Sequence, residues 1–92
     1  MIDTVKKLIE SDSKYQELLK EVFNEPYITN KDLLEKFPKE EQEIYKNNLE
    51  NLVKQFILIG LTSQSGSSIE SRVPQRIFII NPDIEEEIEN VL

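Results

Sequence analysis

The chain has 92 residues and a net charge of −7, and it contains neither cysteine nor histidine. This length fits one small domain, and the missing residue types exclude disulfides, thiolate or imidazole metal sites and histidine-assisted catalysis. We expect a cytoplasmic protein with no membrane partner, because there is no signal-peptide pattern and no apolar run near the roughly 20 residues of a membrane span.

The acidic excess is concentrated at the C-terminus. The last twelve residues contain five acidic side chains and no basic one, whereas residues 39–80 contain five of each sign. The central half is therefore neutral, which is less basic than a typical DNA-binding surface.

The N-terminal third predicts two helices. Apolar residues recur at helical spacing over residues 3–10, and Ser13 with Gln16 forms a capping-box pattern for a second helix that ends at residues 24–26. One bent helix over residues 3–24 is the alternative, since Tyr15 roughly keeps the phase.

Residues 28–37 carry a strong helix-start signal. Thr29 is a good N-cap, Asp32 stands at the third helical position, and Ile28 can pack onto Leu33 across the cap. Pro38 ends this helix and can open the next one.

The segment Leu49–Leu61 predicts a helix that runs directly into a buried strand. The helical stripe consists of Leu49, Leu52, Val53 and Phe56, and the apolar run that follows ends at Gly60. This third helix is expected over residues 39–56, and Phe56 is expected to anchor the core where the chain turns into the strand.

Two strands and a last helix complete the predicted elements. Residues 58–63 form one strand, residues 64–68 a polar tip, and residues 76–81 the returning strand, with Pro74 restricted to an edge or to the start of that strand. Asn81 and Pro82 predict the start of a C-terminal helix with an apolar stripe. The run Ile77–Ile80 is apolar on both faces, so its outer side needs a cover.

The capped helix over residues 28–37 and the helix-to-strand join at Leu49–Leu61 together resemble winged helix-turn-helix domains. The resemblance covers roughly residues 13–80 and implies an α+β fold with a two- or three-stranded wing. Residues 1–12 and 82–92 are then flanking helices of a single domain, 1–92. One departure is the number of residues from Phe37 to Phe56, which exceeds that of a compact helix-turn-helix by several. This difference indicates either an extra helical turn or a longer loop at residues 39–44.

The resemblance implies a homodimeric transcription regulator that binds double-stranded DNA, with binding dominated by the wing. The alternative is a winged-helix module that binds proteins and not DNA. An enzyme is not expected, because no glycine-rich phosphate loop is present and the serines have no histidine to activate them. No cofactor and no metal site are expected.

The third helix supplies the candidate DNA contacts. Its outward residues could include adenine-reading amides and phosphate-binding lysines, namely Lys46, Asn47, Asn51 and Lys54. The alternative is an ordinary mixed-charge surface with a Glu50–Lys54 pair. Arg72 and Arg76 flank the wing and could contact DNA there, or they could keep a hairpin edge soluble.

Three isoleucines are candidates for protein contacts. Ile44 lies outside the apolar stripe and among charges, which favours a contact with another protein. Ile84 and Ile88 belong to the stripe of the last helix, which is expected to form a two-fold dimer together with the bare side of Ile77–Ile80.

Overall fold

The computed structural model describes residues 1–63 and 75–92, which form five α-helices and a three-stranded antiparallel sheet. The helices are α1 (Ile2–Ser11), α2 (Ser13–Asn24), α3 (Asn30–Glu35), α4 (Gln42–Lys54) and α5 (Glu85–Val91), with a 3-10 turn (Lys39–Glu41) before α4. The strands are β1 (Ile28–Thr29), β2 (Leu58–Ser63) and β3 (Gln75–Ile80). The predicted α+β class is confirmed. None of the described helices is long and apolar enough to cross a membrane.

Asp12 separates the first two helices. Its backbone is extended, and its carboxylate accepts a hydrogen bond of 2.9 Å from the Lys14 backbone N–H. Two helices are therefore present, as predicted, and the alternative of one bent helix is wrong. The predicted cap at Ser13 is also wrong, because Asp12 caps α2 one residue earlier.

Thr29 caps α3 as predicted, since its hydroxyl accepts a hydrogen bond of 3.1 Å from the Asp32 N–H. The short strand β1 before it was not predicted. Ile28 pairs with Phe78 and Thr29 with Ile77. Ile28 and Thr29 therefore belong to the sheet and stand immediately before α3. A two-residue strand has no alternation long enough to be recognised in a sequence.

The end of α4 corrects the prediction for Phe56. The Ile57 N–H donates to the Leu52 carbonyl and the Phe56 N–H to the Val53 carbonyl, which is a Schellman turn. Phe56 occupies the left-handed position of that turn, with φ 61°, and is 65% exposed. Phe56 is therefore not a core anchor, because the turn rotates it out of the helical phase. Ile57 is buried instead.

The strand order in the sheet is β1-β3-β2, so β3 is central. Strand β2 has the predicted bounds, and β3 begins one residue before the prediction. Phe78 and Ile80 point into the core, and Ile77 and Ile79 lie half-buried on the opposite face. The predicted tip at residues 64–68 and Pro74 lie outside the described residues.

The C-terminal helix α5 begins at Glu85, three residues after the predicted first position. The side-chain oxygen of Asn81 accepts a hydrogen bond from the Asp83 backbone N–H. The side-chain amide of Asn81 donates a hydrogen bond of 2.8 Å to the Phe56 carbonyl. Ile84 and Ile88 are buried in the domain's own core, where α5 packs against α1. The prediction that these two residues face a partner is therefore corrected, since their stripe is already covered.

Candidate functional site

The outward face of α4 is charge-balanced. Its exposed side chains are two glutamates, two lysines, one amide and one isoleucine: Glu43, Ile44, Lys46, Asn47, Glu50 and Lys54. The candidates Lys46, Asn47 and Lys54 are thus accessible together on one helix. Ile44 of the same helix is 48% exposed, as the prediction of a protein contact requires.

Arg76 of β3 reaches the same face of α4. Its guanidinium forms a salt bridge with the Glu50 carboxylate and lies 5.1 Å from the centre of the Phe78 ring. The helix and the strand therefore present one continuous surface. We call the group Lys46, Asn47, Glu50, Lys54 and Arg76 the α4–β3 surface.

Gly60 makes room for this crossing, a role that the sequence reasoning did not assign to it. A Cβ atom at Gly60 would lie only 3.1 Å from Nε of Arg76, so the guanidinium passes directly over the bare backbone. A single glycine inside a predicted strand indicates such a close approach, and that signal was present in the sequence.

Asn51, another predicted base reader, contacts α2 instead of standing free. Its amide donates a hydrogen bond of 2.9 Å to the Tyr15 hydroxyl. Two further bonds cross the same boundary, from the Tyr45 hydroxyl to the Glu17 carboxylate at 2.7 Å and from Asn48 to Asp12 at 3.3 Å. We call these three bonds the α2–α4 seam. Asn51 therefore helps to position α4.

Two residues of the seam have shifted pKa values. Burial, reinforced by the hydrogen bond to Glu17, raises the pKa of Tyr45 to about 12. The Lys14 backbone N–H, together with Asn48 and the Lys14 charge, lowers the pKa of Asp12 despite some opposing desolvation. Tyr45 also stacks on Phe37 with ring centres 3.8 Å apart, which fixes α4 against the chain that follows α3.

Arg72, the remaining predicted DNA contact, lies outside the described residues. Within residues 1–63 and 75–92, no group of three or more carboxylates could hold a metal ion.

A second candidate surface, on the sheet, was predicted only in part from the sequence. The side of the sheet that faces away from the helices is apolar, and we call Ile59, Leu61, Ile77 and Ile79 the outer sheet face. Ile59 pairs with Ile79 and Leu61 with Ile77, so the four side chains form two adjacent rows. The bare side of β3 was predicted, but its continuation across β2 and the exposed Tyr27 beside it were not.

Comparisons with protein-family models, with curated proteins and with solved structures find no match for this chain.

Proposed function

We propose that the chain is a winged-helix domain that binds double-stranded DNA as a cytoplasmic transcription regulator. The order of elements from α2 to β3 supports this fold: helix, short strand, two helices and then a strand pair, with strand order β1-β3-β2. In such a layout α4 is the recognition helix, the β2–β3 pair is the wing, and α1 and α5 flank the domain.

The observation that carries the proposal is the contact between the recognition helix and the wing. Arg76 meets Glu50 across the junction of β3 and α4, so a duplex on α4 would also lie against the wing. Lys46 and Lys54 supply phosphate contacts, which set affinity and position, and Glu50 holds Arg76 beside them. Asn47 is exposed on the same face and supplies the base contact, because an asparagine amide can pair with both edge atoms of adenine.

Binding of a labelled random-sequence duplex, measured by fluorescence anisotropy over a range of salt concentrations, tests this function. The half of the chain with the wing contains five cations, so log Kd against log salt should have a slope no steeper than about 4–5 per subunit. Replacing Lys46 and Lys54 with alanine should reduce that slope by about 2.

The matched control replaces Lys6 and Lys7 of α1 with alanine, which removes the same charge from another exposed helix. It should leave the slope within about 0.5 of wild type. Asn47→Ala should change which sequences are preferred more than it changes the slope. Absence of duplex binding at low salt would contradict the proposal.

A protein-interaction module of the winged-helix type is the second candidate, and a specific observation favours it. Glu50 neutralises Arg76, and the exposed Ile44 interrupts the polar face of α4. A homodimer remains part of the first proposal, but its interface must lie elsewhere than on Ile84 and Ile88, because both are buried.

A further inference from the structure

A small cleft lined mainly by apolar residues opens at one end of the sheet, and none of its described lining residues belongs to the α4–β3 surface. It is lined by α2, the chain before β1, the end of β3 and the first turn of α5, with Phe23, Pro26, Tyr27, Ile79, Pro82 and Glu85 among its walls. Its volume is about 190 Å³. An apolar cavity of about 150 Å³ holds a benzene-sized group, whereas drug-sized ligands and cofactors occupy about 300–1,000 Å³. The cleft therefore fits one large apolar side chain.

Two exposed aromatic residues stand at the same end of the sheet. Tyr27 immediately precedes β1 and Phe56 lies two residues before β2, and the antiparallel pairing brings both strand starts beside the end of β3. Both have left-handed backbones, with φ 69° and 61°. Bulky side chains rarely adopt that conformation, and glycine would fit each position with less strain. Strained, exposed aromatic residues at one place are typical of a binding surface.

The cleft continues onto the outer sheet face. Ile79 belongs to both, and its cross-strand partner Ile59 begins the apolar rows that extend along β2 and β3. All four side chains of the outer sheet face are uncharged. An extended segment could therefore place one side chain in the cleft and lay the next ones over these rows.

The charge around the cleft selects the occupant. Of the described residues that line the cleft, Glu85 alone is charged, and Glu86 and Glu87 follow it in the exposed first turn of α5. These carboxylates repel phosphates, so they disfavour nucleic acid here. They also disfavour a second copy of a chain whose net charge is −7. A positively charged protein segment is favoured.

We propose that this end of the sheet docks a segment of another protein that inserts one large apolar side chain into the cleft and pairs an adjacent lysine or arginine with Glu85. This goes beyond DNA binding, since it uses none of the residues of the α4–β3 surface. The cleft supplies the buried anchor, and the outer sheet face supplies the contact area around it.

The test uses the full chain and a displayed library of random ten-residue peptides. Peptides enriched on the wild-type chain should share a phenylalanine, leucine or methionine next to a lysine or arginine. The strongest peptide is then synthesised together with a partner in which its basic residues are replaced with glutamate, and both are titrated by calorimetry.

Glu85→Lys should weaken the basic peptide at least tenfold and improve the acidic one. Glu87→Lys is the matched control, because it makes the same charge change in the same helical turn but at a residue that does not line the cleft. It should change either affinity less than threefold. The double variant Lys46→Ala with Lys54→Ala should leave peptide binding unchanged. Peptide binding can therefore be tested even if the chain proves not to bind DNA.

Three outcomes would overturn the proposal: no enriched peptide, equal effects of Glu85→Lys and Glu87→Lys, or peptides without a basic residue. A concentration-dependent dimer in sedimentation that Glu85→Lys strengthens or abolishes would also overturn it, because the occupant would then be a second copy. Circular dichroism of each variant establishes that it is folded.

Discussion

The side chains of the α2–α4 seam are paired within the domain, whereas the aromatic side chains at the cleft end of the sheet are exposed. In the seam, Tyr15, Tyr45 and Asn51 are polar groups that find partners across the helix boundary. Among the described residues no buried side-chain nitrogen or oxygen lacks a hydrogen bond. At the cleft end, the aromatic residues Tyr27 and Phe56 are more than half exposed on left-handed backbones. The seam is thus built for stability, and the cleft end sacrifices stability in a way that a binding role would explain.

The two faces of β3 give the largest expected contrast. Phe78→Ala removes a fully buried ring and should cost about 3–5 kcal/mol, a large share of the stability of so small a domain. Ile77→Ala, on the outer sheet face, should cost no more than about 1 kcal/mol. Urea denaturation of both variants measures this difference. Equal losses would show that the outer face is covered within the domain.

Tyr45→Phe sharpens the account of the seam. It removes the hydroxyl that donates to Glu17 while keeping the ring stacked on Phe37, and should cost about 1 kcal/mol. Because the pKa of Tyr45 is raised to about 12, its neutral form stabilises the fold fully below pH 10, and this contribution is lost as the pH rises through 12.

Melting temperatures measured between pH 9 and pH 12 check both parts of that prediction. The wild-type curve should fall more steeply than that of Tyr45→Phe above pH 10. Parallel curves would mean that the pKa of Tyr45 is not raised in the folded state.

Phe56 tests the cleft end of the comparison. Phe56→Ala should change the free energy of unfolding by less than about 0.5 kcal/mol, because the ring is mostly exposed. Phe56→Gly should stabilise the domain by roughly 0.5–1 kcal/mol, since glycine relieves the left-handed strain at a cost in chain entropy. Thermal denaturation of the pair decides the matter. Melting temperatures several degrees below wild type in both variants would show that Phe56 packs in the core.

Asp12 gives the smallest expected effect. Its pKa is lowered from the ordinary value of 3.8, so the charged form stabilises the fold above that pH, and the contribution disappears as the pH falls through the lowered value. Asp12→Asn can still cap α2 but does not titrate. Acid denaturation below pH 4 should therefore be slightly less steep in Asp12→Asn than in wild type.

Elements with a strong local signal could be predicted from the sequence. The Thr29 cap and strand β2 were found because capping chemistry and an apolar run ending at a glycine act over a few residues. The core side of α4 was predicted only in part, since Tyr45 is buried through its contacts with Phe37 and Glu17, which lie far from it in the chain.

The candidate surface was predicted less completely for the same reason. The crossing of Arg76 over Gly60 to Glu50 joins three elements. Gly60 indicates a close approach at that point of the strand, but no spacing in the sequence identifies Arg76 and Glu50 as the residues that meet there. Ile84 and Ile88 were expected to face a partner because an apolar stripe on a helix looks the same whether a second copy or the chain's own core covers it.

The most direct test of the proposed function is the sign of the effect of Glu50→Gln on duplex binding. If DNA lies on the α4–β3 surface, this change removes a charge that repels phosphates and releases Arg76, so binding at low salt should tighten about fivefold and the salt slope should steepen by about 0.9.

The control is Glu86→Gln, which neutralises one exposed carboxylate on α5. It should change the duplex affinity less than twofold, measured by the same anisotropy titration. Glu50→Gln binding duplex DNA tighter than Glu86→Gln is the result that the proposal predicts. Identical affinities and slopes for the two variants would contradict it.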